Sequence, residues 1–109
     1  MRAEFAGSLR ERIVIEALDG ERTAAGLRVD RWSMVCSCQA AVSVDGSGAE
    51  AEAMVLSAMP RFRVTMRRRD GVMVGQRVRW RTSLLMIRQL LADPLLPERM
   101  TLRCEEVRA

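Results

Sequence analysis

The side chains that do chemistry are few in this chain and badly spaced for it. Its 109 residues include no histidine and only three cysteines, Cys36, Cys38 and Cys104. A nucleophile needs a neighbouring base, and acid–base catalysis needs carboxyl groups that face one substrate. Glu105-Glu106 is an adjacent acidic pair, but neighbours on a strand point to opposite faces and cannot share a substrate. Cys36 and Cys38 share one face of a strand, a poor geometry for bridging each other. Three thiols without a histidine also lack the fourth ligand of a structural zinc site. The cysteines therefore read as small buried hydrophobes. No glycine-rich phosphate loop joins a strand to a helix. The expectation is a non-enzyme without metal or cofactor.

Arginine is what the chain has in quantity. All 18 basic residues are arginine, against 14 acidic ones, for a net charge of +4. Such a balance speaks to association and not to fold. Arg61, Arg63, Arg67, Arg77 and Arg79 fall on the polar side of successive strands, which makes them candidates for contact with DNA phosphates. Barrels that bind single strands add exposed aromatic platforms for the bases. Here only Phe5, Trp32, Phe62 and Trp80 are aromatic, and Phe62 and Trp80 point inward by alternation. Base-specific recognition is not expected, and a basic nucleic-acid-binding barrel stands as an alternative reading.

The elements that position these residues are short strands. In Arg61 to Arg67, Phe62, Val64 and Met66 alternate with Arg61, Arg63, Thr65 and Arg67, the period of a strand with one buried face. Asp70-Gly71 supplies a turn. Gln76 to Arg81 places Val78 and Trp80 inward, Leu84 to Leu91 is an apolar run, and Arg99 to Val107 aligns Met100, Leu102 and Cys104. Upstream, Arg10 to Ala17 puts Ile13, Ile15 and Ala17 inward, and Ser33 to Val44 does the same with Cys36, Cys38, Ala40 and Val42. The polar stretch Leu18 to Arg31, with Asp19-Gly20 and Gly26, reads as a long exposed connection. These patterns predict a mainly β fold, a small six-stranded antiparallel β-barrel in a single domain over residues 1–109, with residues 1–9 as a flexible arm.

Between the second and third strands, Asp45-Gly46-Ser47-Gly48 is a break followed by good helix formers. Ser47 with Glu50 three residues on makes a capping-box pattern. The segment is read as one short helix or a long loop, serving either to plug a barrel end or to order against a partner. Asp45, Gly46, Ser47, Gly48, Glu50, Glu52, Met54, Val55 and Met59 are its candidate interface residues. Leu84 and Met86 join them, because outward apolar residues opposite inward Leu85 and Ile87 leave the fifth strand apolar on both faces. An exposed apolar patch of that kind marks a protein contact, and heterologous contacts around a cyclic axis would bury it in a homo-oligomeric ring. Residues 1–9 include Glu4 and no apolar core, unlike a secretory signal. No run reaches the roughly 18 apolar residues of a membrane span. The chain is expected in the cytoplasm, or in a particle assembled there, with no membrane partner.

The order of features resembles the phage head–tail joining proteins, also called head-completion, adaptor or stopper proteins, including those of prophages and gene transfer agents. The resemblance rests on the opening strand Leu9 to Glu16, the connection Gly26 to Trp32, the strand Val35 to Val42 and the segment Ser47 to Met59. It continues through Phe62 to Arg67, Gly75 to Val78, Ile87-Arg88, Asp93-Pro94 and Leu102 to Glu106. It spans about residues 9 to 107 and is carried by pattern, not by one diagnostic motif. One departure is the hairpin Arg81-Thr82-Ser83-Leu84-Leu85, where such proteins often have a glycine and an aromatic. The resemblance implies a structural subunit of a ring in the particle neck, with portal or adaptor proteins above, tail proteins below and packaged DNA in the channel. It also implies that the segment 45–59 reaches toward the channel or a neighbouring subunit. A tail-completion or terminator protein of similar size and class is a further alternative.

Overall fold

The structure, a computed structural model, describes residues 7–22, 28–45 and 59–107, with the side chains of 20–22 and 28–29 left aside. Six strands follow in order: β1 (Glu11–Arg22), β2 (Arg28–Val44), β3 (Arg61–Arg67), β4 (Arg77–Trp80), β5 (Ser83–Leu91) and β6 (Arg99–Val107). All neighbours are antiparallel, and the sheet closes on itself in the order β1-β2-β3-β6-β5-β4. Closure removes the exposed edges that invite aggregation in an open sheet. The expected helix between β2 and β3 lies outside the described residues.

Alternation builds the core as read from the sequence, except that Ala17, read as inward, lies past a register shift and outside the core. Ile13, Ile15, Cys36, Ala40, Val64, Met66, Val78, Leu85, Ile87, Leu102 and Cys104 meet inside the barrel, drawn from all six strands, and Val72 joins them from the β3–β4 loop. Phe62 and Trp80 pack edge to face against this core, with ring centroids 5.4 Å apart. Leu9, placed in the expected arm, is buried; residues 1–6 lie outside the described residues.

Two bulges set which side chains enter. The β1–β2 register shifts between Ile15 and Glu16, and the β5–β6 register shifts between Ile87 and Gln89. An extra residue in one strand bends it and resets its alternation. At β5 the shift pairs Gln89 with Arg103 and Leu90 with Leu102. Leu90 therefore packs against the core, where unbroken alternation would have turned Gln89 inward.

The main correction concerns the stretch Leu18 to Arg31, which is not a long exposed connection. β1 runs to Arg22 and β2 starts at Arg28, paired continuously from Ala17↔Ser33 to Arg22↔Arg28. β4 contacts β1 only from Ile13 to Glu16, and β3 contacts β2 only from Ala40 to Val44. The hairpin thus outgrows the barrel as a two-stranded ribbon, its limbs at 17–22 and 28–35. Six residues at about 3.3 Å each reach roughly 20 Å. Leu18, Asp19, Asp30, Arg31, Ser33 and Met34 are all exposed, so no dry face imposes a period of two there, and the Asp19-Gly20 turn signal yields to the ladder.

Tight turns use the residues that permit them. Gly71 at φ 90° and Gly75 at φ 94° occupy the left-handed region, where a Cβ is costly. Buried Gln76 ties that loop together, accepting from the Met73 amide at 3.0 Å and donating to the Gly71 carbonyl at 2.9 Å. In the departing hairpin, Trp80 pairs with Ser83 and Arg81 takes φ 55°, the positive φ that two-residue hairpin turns demand at their first central position.

Ile15, fully buried on the strand that closes the barrel, provides a test. Ile15→Ala is expected to lower stability by roughly 2–5 kcal/mol, read from the denaturant midpoint of unfolding. A loss well under 1 kcal/mol would contradict the packing described.

Candidate functional site

Asp45 is the root of the segment between β2 and β3. Its amide donates to the Arg61 carbonyl at 3.0 Å, so the backbone stays tied to β3 where β2 ends. Its carboxylate is 5% exposed and accepts from Arg63 Nη2 at 3.2 Å and from Arg103 Nε at 2.8 Å. Arg63 and Arg103 stand directly opposite one another across the β3–β6 ladder. Like charges in that relation repel, and the carboxylate between them reverses the sign of the interaction. Burial pushes the Asp45 carboxyl upward, but the hydrogen bond and charge of Arg103, then those of Arg63, outweigh it and hold the group below its ordinary value. A cleft of about 430 Å³ opens beside this clamp, lined by Asp45, Arg61, Arg88, Gln89, Arg103 and Glu105 among others. Within it Arg103 also reaches Gln89 at 3.3 Å, and Arg88 pairs with Glu105 at 3.1 Å.

The second feature is the seam where β1 meets β4. Glu16 receives Arg77 at 2.7 Å and Arg79 at 3.6 Å. The Arg77 guanidinium lies over the Trp32 ring, 4.1 Å from its centroid, a cation–π contact that joins ribbon to barrel. At the other end of β4, Glu11 accepts from Trp80 Nε1 at 2.8 Å and from Arg81 Nε at 3.0 Å. The Trp80 hydrogen bond lowers the Glu11 pKa; desolvation opposes it, and the hydrogen bond and charge of Arg81 add to it.

Of the expected DNA-contacting residues, Arg63, Arg77 and Arg79 are therefore paired with buried or half-buried acids. Arg61 and Arg67 are exposed and form no ion pair among the described residues. They lie at opposite ends of β3, so they do not compose one patch. Of the expected partner-interface residues, Asp45 is buried and Met59 half-buried, while Gly46, Ser47, Gly48, Glu50, Glu52, Met54 and Val55 lie outside the described residues.

Leu84 and Met86 are corrected from exposed to half-buried. Register places Leu84 between Arg79 and Val107, and Met86 between Arg77 and Glu105. A cleft of about 450 Å³ holds Leu84 together with Arg77, Arg79 and Arg81, and long arginine stems cover apolar surface in such settings. The exposed apolar surface among the described residues is instead at Leu18, Met34, Val44, Met73, Val74 and Leu95. Leu18 and Met34 are on the ribbon, which sequence reasoning missed as an element; the run without proline from Arg28 to Val44 was the available signal.

The cysteines are free thiols, Cys36 and Cys104 buried and Cys38 half-buried. Burial, and then the charge of Asp45, pushes the Cys104 thiol up to about 12. Burial, followed by its neighbour Cys36, also raises Cys38. Among the described residues no group of histidine, cysteine or acidic side chains is placed to hold a metal ion.

The sequence matches the family of phage head completion proteins over residues 6–107. The chain belongs to that family. The match covers nearly the whole chain, so a role in phage head assembly, as a virion structural protein, follows from it. No curated protein matches the sequence. Among solved structures, the solution structure of a Shigella flexneri 2a protein, a structural genomics target, is similar at a TM-score of 0.71 and 24% identity. That likeness covers 92% of this chain and 94% of the other, and it speaks to the fold.

Two tests follow from this geometry. A carboxylate with a lowered folded pKa contributes stability that is full above its ordinary value of 3.8 and is lost as pH falls through the folded value. Asp45→Asn is expected to cost roughly 1–3 kcal/mol at neutral pH, toward the lower end because Arg63 is half exposed, and to flatten the acid limb of stability against pH. An acid limb unchanged by the substitution would remove Asp45 from that role. Cys104 is expected to resist alkylation at neutral pH until denaturant is added, measured by mass after iodoacetamide treatment; labelling at the rate of a free thiol in the folded protein would contradict its burial.

Proposed function

We propose that the chain is a head–tail connector subunit, a stopper or adaptor that forms a homo-oligomeric ring in the neck of a tailed phage, prophage particle or gene transfer agent. The observation that carries this reading is the family match across nearly the whole chain, onto a closed barrel whose surface features are a ribbon and a clamped loop root. In this reading the ring assembles in the bacterial cytoplasm, sits below portal or adaptor proteins, receives tail proteins beneath and closes the DNA-filled head. The mechanism is geometric and non-catalytic: docking buries surface, and that burial offsets the entropy of ordering loops. Contact with packaged DNA is through phosphates and independent of sequence. The ion pairs at Arg63, Arg77 and Arg79 narrow that contact to Arg61 and Arg67, and they weigh against a dedicated nucleic-acid-binding barrel.

Two outcomes test the reading. Particles produced without this chain are expected to have filled heads that lose DNA and lack tails, with wild-type chain supplied in trans restoring joined particles. Normal necks in its absence would sink the connector role. Deleting residues 48–58 is expected to leave a folded barrel, because Asp45 and Arg61 already bond across the gap, yet to lower the yield of joined particles. Normal yield from a folded deletion variant would remove that segment from docking.

A further inference from the structure

The ribbon touches the barrel only at its base, where Val35 packs against the core and Trp32 lies under Arg77, and its edges are open. Beyond Glu16, β1 has no partner on the side where β4 would lie, and before Ala40, β2 has none on the side of β3. These are the longest unpaired edges among the described strands. No proline interrupts either limb, although edge strands are commonly blunted with one. Two strands alone are marginal in water, and a third stabilises them.

We propose that the ribbon is a strand-pairing device between copies of this chain: the open edge of the β1 limb, 17–22, adds to the open edge of the β2 limb, 28–35, of a neighbour. The inference rests on the ring reading and deepens it by naming the contact. Charge selects this pairing over its alternatives. The β1 limb carries Asp19 and Glu21 against Arg22, and the β2 limb carries Arg28 and Arg31 against Asp30, so the limbs have opposite net sign. Asp19 and Arg31 face each other in register but form no ion pair among the described residues, which leaves both charges for a neighbour. Pairing β1 limb with β1 limb brings like charge together; pairing β1 limb with β2 limb does not. The contact is heterologous, so each added copy presents a fresh limb, and in the ring reading the rotation between copies closes the series. Leu18 and Met34, 43% and 67% exposed, supply apolar area to cover.

The experiment uses the purified full chain, with Asp19→Arg, Arg31→Asp and the double reversal, and reads oligomer mass by native mass spectrometry. Each single reversal is expected to weaken association by roughly two- to fivefold per contact while thermal melting shows the barrel still folded. The double reversal restores self-association, but mixed with isotope-labelled wild type it forms separate oligomers, because mixed contacts set Asp against Asp or Arg against Arg. Hydrogen exchange supplies a readout independent of substitution: amides at 17–22 and 28–35 gain protection in the oligomer. Free mixing of the two species, or ribbon amides equally labile in monomer and oligomer, overturns the inference and leaves a ring built by other contacts. A chain that stays monomeric at its highest soluble concentration also overturns it, and restoration of joined particles in trans then tests the connector role separately.

Discussion

The fold depends on closing a barrel through its shortest strand. β4 has four residues, and its ladder with β1 is only the four pairs from Ile13↔Trp80 to Glu16↔Arg77. So short a ladder contributes few backbone hydrogen bonds, each with a modest net contribution of roughly 1 kcal/mol. Side chains on both faces reinforce it. Inside, Ile13, Ile15 and Val78 are fully buried against one another's strands. Outside, Glu16 gathers Arg77 and Arg79, and Glu11 gathers Trp80 and Arg81. The two acids thus stitch both ends of β4 to β1. The same stitching accounts for an arginine at positive φ: Arg81 lies 4.9 Å from the Trp80 centroid and bonds Glu11, so its contacts offset a backbone conformation that glycine would adopt freely.

Closure also decides what the arginines are for. On an open basic sheet a row of guanidinium groups would be a plausible phosphate track. On this barrel the rows face neighbouring strands that carry acids, and permanently charged, multi-donor side chains find partners there. Arg63 and Arg103 are a repulsive cross-strand pair without Asp45 and an attractive triad with it. The charge that composition reports as a surplus is in part internal wiring of the outer sheet face.

Legibility in the sequence followed from burial. Where one strand face is dry, as at Phe62, Val64 and Met66 or at Leu102 and Cys104, alternation is visible and gives strand, face and core directly. Where neighbouring residues on both faces are wet, as at Leu18 and Asp19, no alternation is imposed and the local Asp19-Gly20 signal reads as a turn. Asp45 was legible as a chain break but not as a buried ligand, because its partners are 18 and 58 residues away in sequence. The exposed aspect expected for Leu84 and Met86 failed for a related reason: facing is fixed by their own strand, whereas covering is supplied by arginines on the next. The bulge at Arg88 has no local signature, and it decides whether Leu90 or Gln89 enters the core.

A closed barrel has no sheet edge to offer, so strand pairing with any neighbour has to use what the barrel hangs outside. Both appendages here belong to one strand. β2 is 17 residues long, roughly 55 Å at about 3.3 Å per residue, close to the 54 Å long axis of the molecule. Its first residues form a limb of the ribbon, its middle packs Cys36 and Ala40 into the core, and its end delivers Asp45 to the clamp. The ribbon and the loop root therefore stand at the two ends of one strand, an extended element bonded to β1 and then to β3 along its length. Under the proposed connector reading such a separation is useful, because a lateral contact and an axial contact that shared one surface would compete. The barrel is the spacer that holds them apart.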